Sequence, residues 1–134
     1  MFIGELLNEN YNLIDLLSDS QIKTNVFFHP TIQEAANHFN TTKQQPPDII
    51  LLDITSPSIK GIDFLEFRKS NKACSLSPCV ILSSTNNVDL KDLYYKYPIA
   101  GYIIKPDDSL NISKMVSIII GYWSKSEFTK ENIL

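Results

Sequence analysis

Residues 46–61 read PPDIILLDITSPSIKG, from Pro46 to Gly61. A turn signal leads into four consecutive apolar residues, Ile49 to Leu52, which end on Asp53. Thr55, Ser56, Pro57 and Ser58 then break the chain. Four apolar residues without alternation suit a strand buried on both faces, as in a parallel sheet covered by helices. In such folds ligands gather beyond the carboxyl ends of the strands. A carboxylate delivered to a strand tip is therefore a candidate for chemistry.

The same alternation runs outward in both directions. Phe2, Ile3, Leu6 and Leu7 predict a first strand, and Leu13, Leu16 and Leu17 follow at helical spacing. Asn25–Phe28 predicts a second strand. Thr31 and Glu34 then form a capping-box pair, ahead of Ile32, Ala35, Ala36 and Phe39 on one helical face. Beyond the opening stretch, GIDFLEFRKSN predicts a helix, Cys79–Ser84 a fourth strand, VDLKDLYYKY a short helix ended by Pro98, and GYIIKP a fifth strand. Ile112, Met115, Val116, Ile119, Ile120 and Trp123 make one stripe at 3.6-residue spacing. Five strands alternating with five helices predict an α/β domain with a parallel sheet over residues 1–125. Residues 126–134 read as a polar tail or the start of a linker.

Composition narrows the function. The chain has 134 residues, 43% hydrophobic and 20% charged, with a net charge of −3. No Lys/Arg-rich run suggests nucleic acid. No apolar stretch reaches the roughly 18 residues of a membrane span. The start lacks a basic region followed by a long apolar one, so a cytoplasmic protein is expected. Cys74 and Cys79 lack the partners of a zinc site and read as buried structural thiols. His29 and His38 lie at the end of the second strand and inside a helix, away from the cluster at the other strand tips, and read as solvated or packing residues.

The tips themselves carry Asn8 and Glu9 after the first strand, Asp53 after the third, Ser83 at the end of the fourth and Lys105 at the end of the fifth. No glycine-rich phosphate loop follows the first strand, which disfavours a dinucleotide or flavin carrier. Around Asp53 the chain resembles the phosphoacceptor segment of bacterial response-regulator receiver domains, with Ser56 at the family's Met-like position, then Pro57 and Gly61. Ser83 lies 30 residues after Asp53, and Lys105–Pro106 lie 52 and 53 after it, where receivers carry Ser or Thr and Lys-Pro. Tyr102 falls where receivers often carry an aromatic switch residue.

The resemblance implies a flavodoxin-like, doubly wound (βα)5 fold with strand order 2-1-3-4-5. It implies that Asp53 accepts a phosphoryl group from a histidine kinase or phosphotransfer protein. It further implies Mg²⁺ held by Glu9, Asp53 and the Thr55 carbonyl, Ser83 and Lys105 against the phosphoryl oxygens, Tyr102 turning inward, and a cis Lys105–Pro106 bond. A carboxylate with a reference pKa near 3.9 is already an ionised nucleophile. A divalent cation and the Lys105 ammonium supply the charge neutralisation that phosphoryl transfer needs. The switched surface comprises the fourth helix, fifth strand and fifth helix, and it meets a downstream protein target or fused effector, or a second copy.

The family's acidic pair is Asn8–Glu9 here, one acid short, so weaker magnesium binding is expected. Glu5 is a substitute in principle, but a strand running to Leu7 places it mid-strand and facing away. With neither an acid nor an amide at Thr55 or Thr85, self-dephosphorylation is expected to be slow. The missing acid also keeps a second reading open: a pseudo-receiver that signals through contacts without phosphate. Plainer roles stand beside each residue. Asn8–Glu9 can open the first helix, Asp53 can cap a turn, Ser83 can satisfy backbone groups and Lys105 can simply be solvated.

Overall fold

A computed structural model describes residues 1–5, 25–41 and 45–125. Leu6, Leu7, Asn8, Glu9, the helix expected around Leu13–Leu17 and the tail expected at 126–134 lie outside the described residues. Five parallel strands, β1 Phe2–Ile3, β2 Phe28–His29, β3 Ile50–Asp53, β4 Cys79–Ser83 and β5 Gly101–Ile104, form one sheet in the order β2-β1-β3-β4-β5. Five helices lie among the described residues: α1 Ile32–Thr41, α2 Gly61–Ser70, α3 Lys72–Ser75, α4 Val88–Tyr95 and α5 Ser109–Lys125. The doubly wound architecture and strand order implied by the resemblance are those observed.

Side chains alternate across a strand, so a doubly covered strand feeds two cores. Ile50, Leu52, Cys79 and Ile81 face one core, closed by Ala35 of α1, Phe64 and Leu65 of α2, Cys74 of α3 and Tyr94 of α4. Ile49, Leu51, Val80 and Leu82 face the other, closed by Ile112, Val116 and Ile119 of α5. That is why the central strands carry no hydrophobic–polar alternation. Thr31 Oγ1 accepts from Glu34 N at 3.2 Å, half of the expected capping box. Asp108 Oδ1 accepts from Asn111 N at 2.8 Å and starts α5.

Two elements differ from expectation. The second strand pairs over Phe28–His29, later than its apolar run, because the register is set by Phe2 and Ile3 across the ladder. The single-turn helix α3 carries too few residues for periodicity. Its signal is Asn71, whose side chain accepts from Cys74 N at 2.9 Å.

Arg68 of α2 is buried, and its guanidinium donates to three backbone carbonyls: Pro98 at 3.1 Å, Ser77 at 2.8 Å and Ser75 at 3.4 Å. It thereby joins α2, the turn before β4 and the turn before β5. Cys74 and Cys79 are buried beside it, and burial pushes both thiols up to about 12 despite the nearby cation. They are inert structural thiols, as their apolar setting requires.

Gly61 opens α2 at a close approach. A β-carbon there would lie 2.4 Å from the Tyr94 hydroxyl and 2.7 Å from Ile54 Cγ2. Gly61→Ala therefore forces α2 and α4 apart, and we expect a loss of about 2 kcal/mol, readable as a lower denaturation midpoint.

Candidate functional site

Asp53 is the last residue of β3, and its side chain stands at the carboxyl edge of the sheet, 5% exposed. Lys105 directly follows β5, and its backbone N–H donates to the Ser83 carbonyl at 2.7 Å, which holds the end of β5 against β4. Across that edge Lys105 Nζ meets Asp53 Oδ2 at 2.8 Å, with both side chains almost wholly buried. The other carboxylate oxygen, Oδ1, accepts from Thr55 N at 2.9 Å and Thr55 Oγ1 at 2.5 Å. Both oxygens of Asp53 are thus held in place by hydrogen-bond donors.

The room for this carboxylate comes from Gly4. The register pairs Ile3 with Leu52, which sets Gly4 beside Asp53. A β-carbon on Gly4 would lie 3.0 Å from the Asp53 β-carbon. The ladder ends at Ile3, so Glu5 lies past the strand instead of in its middle. This corrects the expectation that Glu5 faces away. Its carboxylate accepts from the Ser58 hydroxyl in the loop that follows Asp53. Hydroxyls of Ser58 and Ser56 hold this exposed carboxyl below its ordinary range. Glu5 is the candidate that sequence reasoning set aside and the structure places against the loop after Asp53 through Ser58. Its signal was the Gly–Glu step, since a glycine within an apolar run marks a close backbone approach.

Ser83 is buried at the end of β4, but its hydroxyl serves its own loop. It accepts from Thr85 N and donates to the Thr85 carbonyl, each at 3.2 Å. The plainer role expected for a strand-end hydroxyl is the one observed. Tyr102 lies inward, its ring packed against Tyr94 and Tyr95 at centroid separations of 6.0 and 6.4 Å. Its hydroxyl is buried without a hydrogen-bond partner among the described residues. Burying such a group costs free energy, so Tyr102→Phe is expected to raise stability by about 1 kcal/mol in denaturant unfolding.

The Lys105–Pro106 bond is trans, since the described residues contain no cis peptide bond, and the expected cis isomer is corrected. The trans form is the lower in energy for an X-Pro bond. Lys105 reaches Asp53 from it, so the aim of the lysine comes from the ion pair and the ladder bond to Ser83. The structure therefore brings together Asp53, Lys105 and Thr55, with Glu5 on the loop beside them. Ser83 and Tyr102 lie on the adjoining strands and make no hydrogen bond to Asp53. Asn8 and Glu9 lie outside the described residues.

The oxygens that the resemblance assigns to a cation here, the Asp53 carboxylate and the Thr55 carbonyl, are hard donors, and so is the Glu5 carboxylate bonded to Ser58. Those groups fit a Mg²⁺ ion, which takes one or two carboxylates and keeps several waters. Among the described residues no three His, Cys, Asp or Glu side chains converge as a metal cage. The arrangement sets one buried carboxylate beside one buried amine at the carboxyl edge of the sheet.

The family model for the response regulator receiver domain matches residues 10–117. No curated protein matches the chain. Among solved structures, a phosphorylated cyanobacterial phytochrome response regulator, RcpA, superposes with a TM-score of 0.77 at 25% identity, over 95% of this chain and 94% of that one. The Mn²⁺-bound form of response regulator Rcp1 gives 0.80 at 21% identity over 95% of each chain. A receiver domain from Rhodospirillum rubrum gives 0.78 at 20% identity over 94% of each.

Proposed function

The chain belongs to the response-regulator receiver family of two-component signalling, and on that premise we propose that Asp53 accepts a phosphoryl group from a histidine kinase or phosphotransfer protein. Receiver domains are signalling domains, so the output is a changed protein surface and not a released product. The observation that carries this reading is the buried 2.8 Å contact between Asp53 and Lys105. A buried carboxylate and ammonium at the tips of β3 and β5 add little to the core. Together they set a nucleophile beside the charge that neutralises the incoming group.

In the transfer a carboxylate oxygen of Asp53 bonds to phosphorus, the bond from phosphorus to the donor imidazole nitrogen breaks, and that nitrogen takes a proton. Lys105 stays protonated and moves its hydrogen bond to a phosphoryl oxygen. Thr55 N–H keeps Asp53 oriented. Magnesium supplies the remaining charge neutralisation when bound, and Asp53, the Thr55 carbonyl and the nearby acids would hold it. Glu5 joins Glu9 and Asn8 as a candidate for the position beside Asp53. Carboxylate count therefore does not rest on Asn8–Glu9 alone.

The product adds charge and acceptor oxygens. Ser83 then exchanges its bonds to Thr85 for one to the phosphoryl group, and the loop from Ser83 to Asn87 follows. Tyr102, packed on Tyr94 and Tyr95, transmits that shift to the surface of α4, β5 and α5. This is the face offered to a downstream target, a fused effector or a second copy. We place the protein in the cytoplasm, where its kinase partner would act.

Mass spectrometry after incubation with acetyl phosphate and Mg²⁺ tests the reading. One phosphate is expected on the parent and none on Asp53→Asn. An unmodified parent under saturating Mg²⁺ would instead support a pseudo-receiver that works by contact alone.

A further inference from the structure

We propose that His29 and His38 together chelate one late first-row divalent ion, of the Zn²⁺, Ni²⁺ or Cu²⁺ class, where β2 meets α1. His29 ends β2 and His38 lies in the last turn of α1, with the Pro30–Thr31 turn and the helix between them. Nε2 of His29 stands 3.3 Å from Nδ1 of His38, and the rings are inclined at 68°. Two imidazole nitrogens bound at about 2.0–2.1 Å to one tetrahedral zinc stand roughly 3.4 Å apart. The separation of the two nitrogens therefore already matches the bite of a chelate, and a tilt of the rings turns both lone pairs onto one ion.

The rings are held for this. His38 lies edge-on to Phe27 at 4.7 Å and to Phe39 at 5.8 Å between centroids. Desolvation, then mutual proximity for His29, keeps both rings below the ordinary histidine range. Glu34 opposes that shift at His29, and the amino group of Met1 reinforces it at both rings. Two neutral imidazoles face one another at neutral pH, one donating to the other. On metal binding the shared proton moves to the far nitrogen of its own ring, so both facing nitrogens offer lone pairs and no net proton is lost.

Imidazole selects borderline ions over Mg²⁺, so this site and the oxygen-lined edge at Asp53 take different metals. Neither histidine converges with further His, Cys, Asp or Glu side chains into a three-ligand group among the described residues. Water fills the other positions, and the affinity is that of a two-ligand chelate.

Calorimetric titration of the full chain with Zn²⁺, in excess Mg²⁺ to block the oxygen site, tests the proposal. The parent is expected to bind one equivalent, and its His29 and His38 ring nitrogens should shift in NMR spectra. His29→Gln and His38→Gln should each weaken binding by roughly tenfold or more. Asp53→Asn should bind as the parent does. Failure of the parent to bind would overturn the proposal. So would parent-like binding by both glutamine variants, checked for folding by circular dichroism, or loss of binding in Asp53→Asn.

Discussion

A Lys105→Met variant is expected to unfold with about 3 kcal/mol less free energy than the parent. Lys105 and Asp53 each bury almost the whole side chain, and among the described residues the ammonium is the full charge that opposes the Asp53 carboxylate. Removing it leaves a desolvated anion with only the two Thr55 donors on its other oxygen. Methionine keeps the length and apolar stem, so packing loss contributes little. The cost belongs to the stranded charge, and the double variant with Asp53→Asn should recover most of it. A double-mutant cycle in urea, read through the midpoint at constant slope, measures the difference. If the double variant loses the sum of what Lys105→Met and Asp53→Asn lose singly, the pair contributes no coupling. The same Lys105→Met protein should still take up phosphate on Asp53 but leave the α4 chemical shifts unmoved. Wild-type shifts in the phosphorylated variant would show that the surface change does not need the Lys105 contact to the phosphoryl group.

Arg68→Met is expected to cost a similar amount, about 3 kcal/mol, without touching the site. The guanidinium donates to the carbonyls of Pro98, Ser77 and Ser75. Charged donors to carbonyls are worth more than neutral ones, and the carbonyl ends of two turns lose them together. Some cost is offset, because Nε finds no partner among the described residues and its burial is relieved. Arg68→Lys should fall between parent and Met, since one ammonium cannot span three acceptors fixed in a planar fork. A midpoint equal to the parent's for Arg68→Met would show that water replaces the guanidinium fully.

The sheet was legible in the sequence where strands are covered on both faces. Ile49–Leu52 and Cys79–Leu82 are buried at every position, so their unbroken apolar runs have a single explanation. Asp53 and Lys105 were legible as strand-tip residues and do meet, whereas Thr55 entered only through the resemblance, as a carbonyl, and meets Asp53 through its N–H and hydroxyl. The end of β1 was not legible. Among the described residues the pairing with β3 ends at Ile3, and Leu6 and Leu7, which extend the apolar pattern, lie outside them. Periodicity carries no information about where a ladder ends, and it placed Glu5 mid-strand. The cis bond came from resemblance, with no local residue demanding it. Arg68 was hidden because its acceptors are backbone carbonyls supplied by two distant turns, which leave no mark in side-chain composition.

The contact between Gly61 and the Tyr94 hydroxyl also constrains how this sequence can drift over generations. Position 61 accommodates a methyl group only when both the Tyr94 phenol and the Ile54 side chain give way. A viable route to a larger residue there passes through smaller or shifted side chains at 94 and 54 first. Homologues that carry alanine or bulkier residues at 61 should pair it with a truncated side chain at 94 and a change at 54.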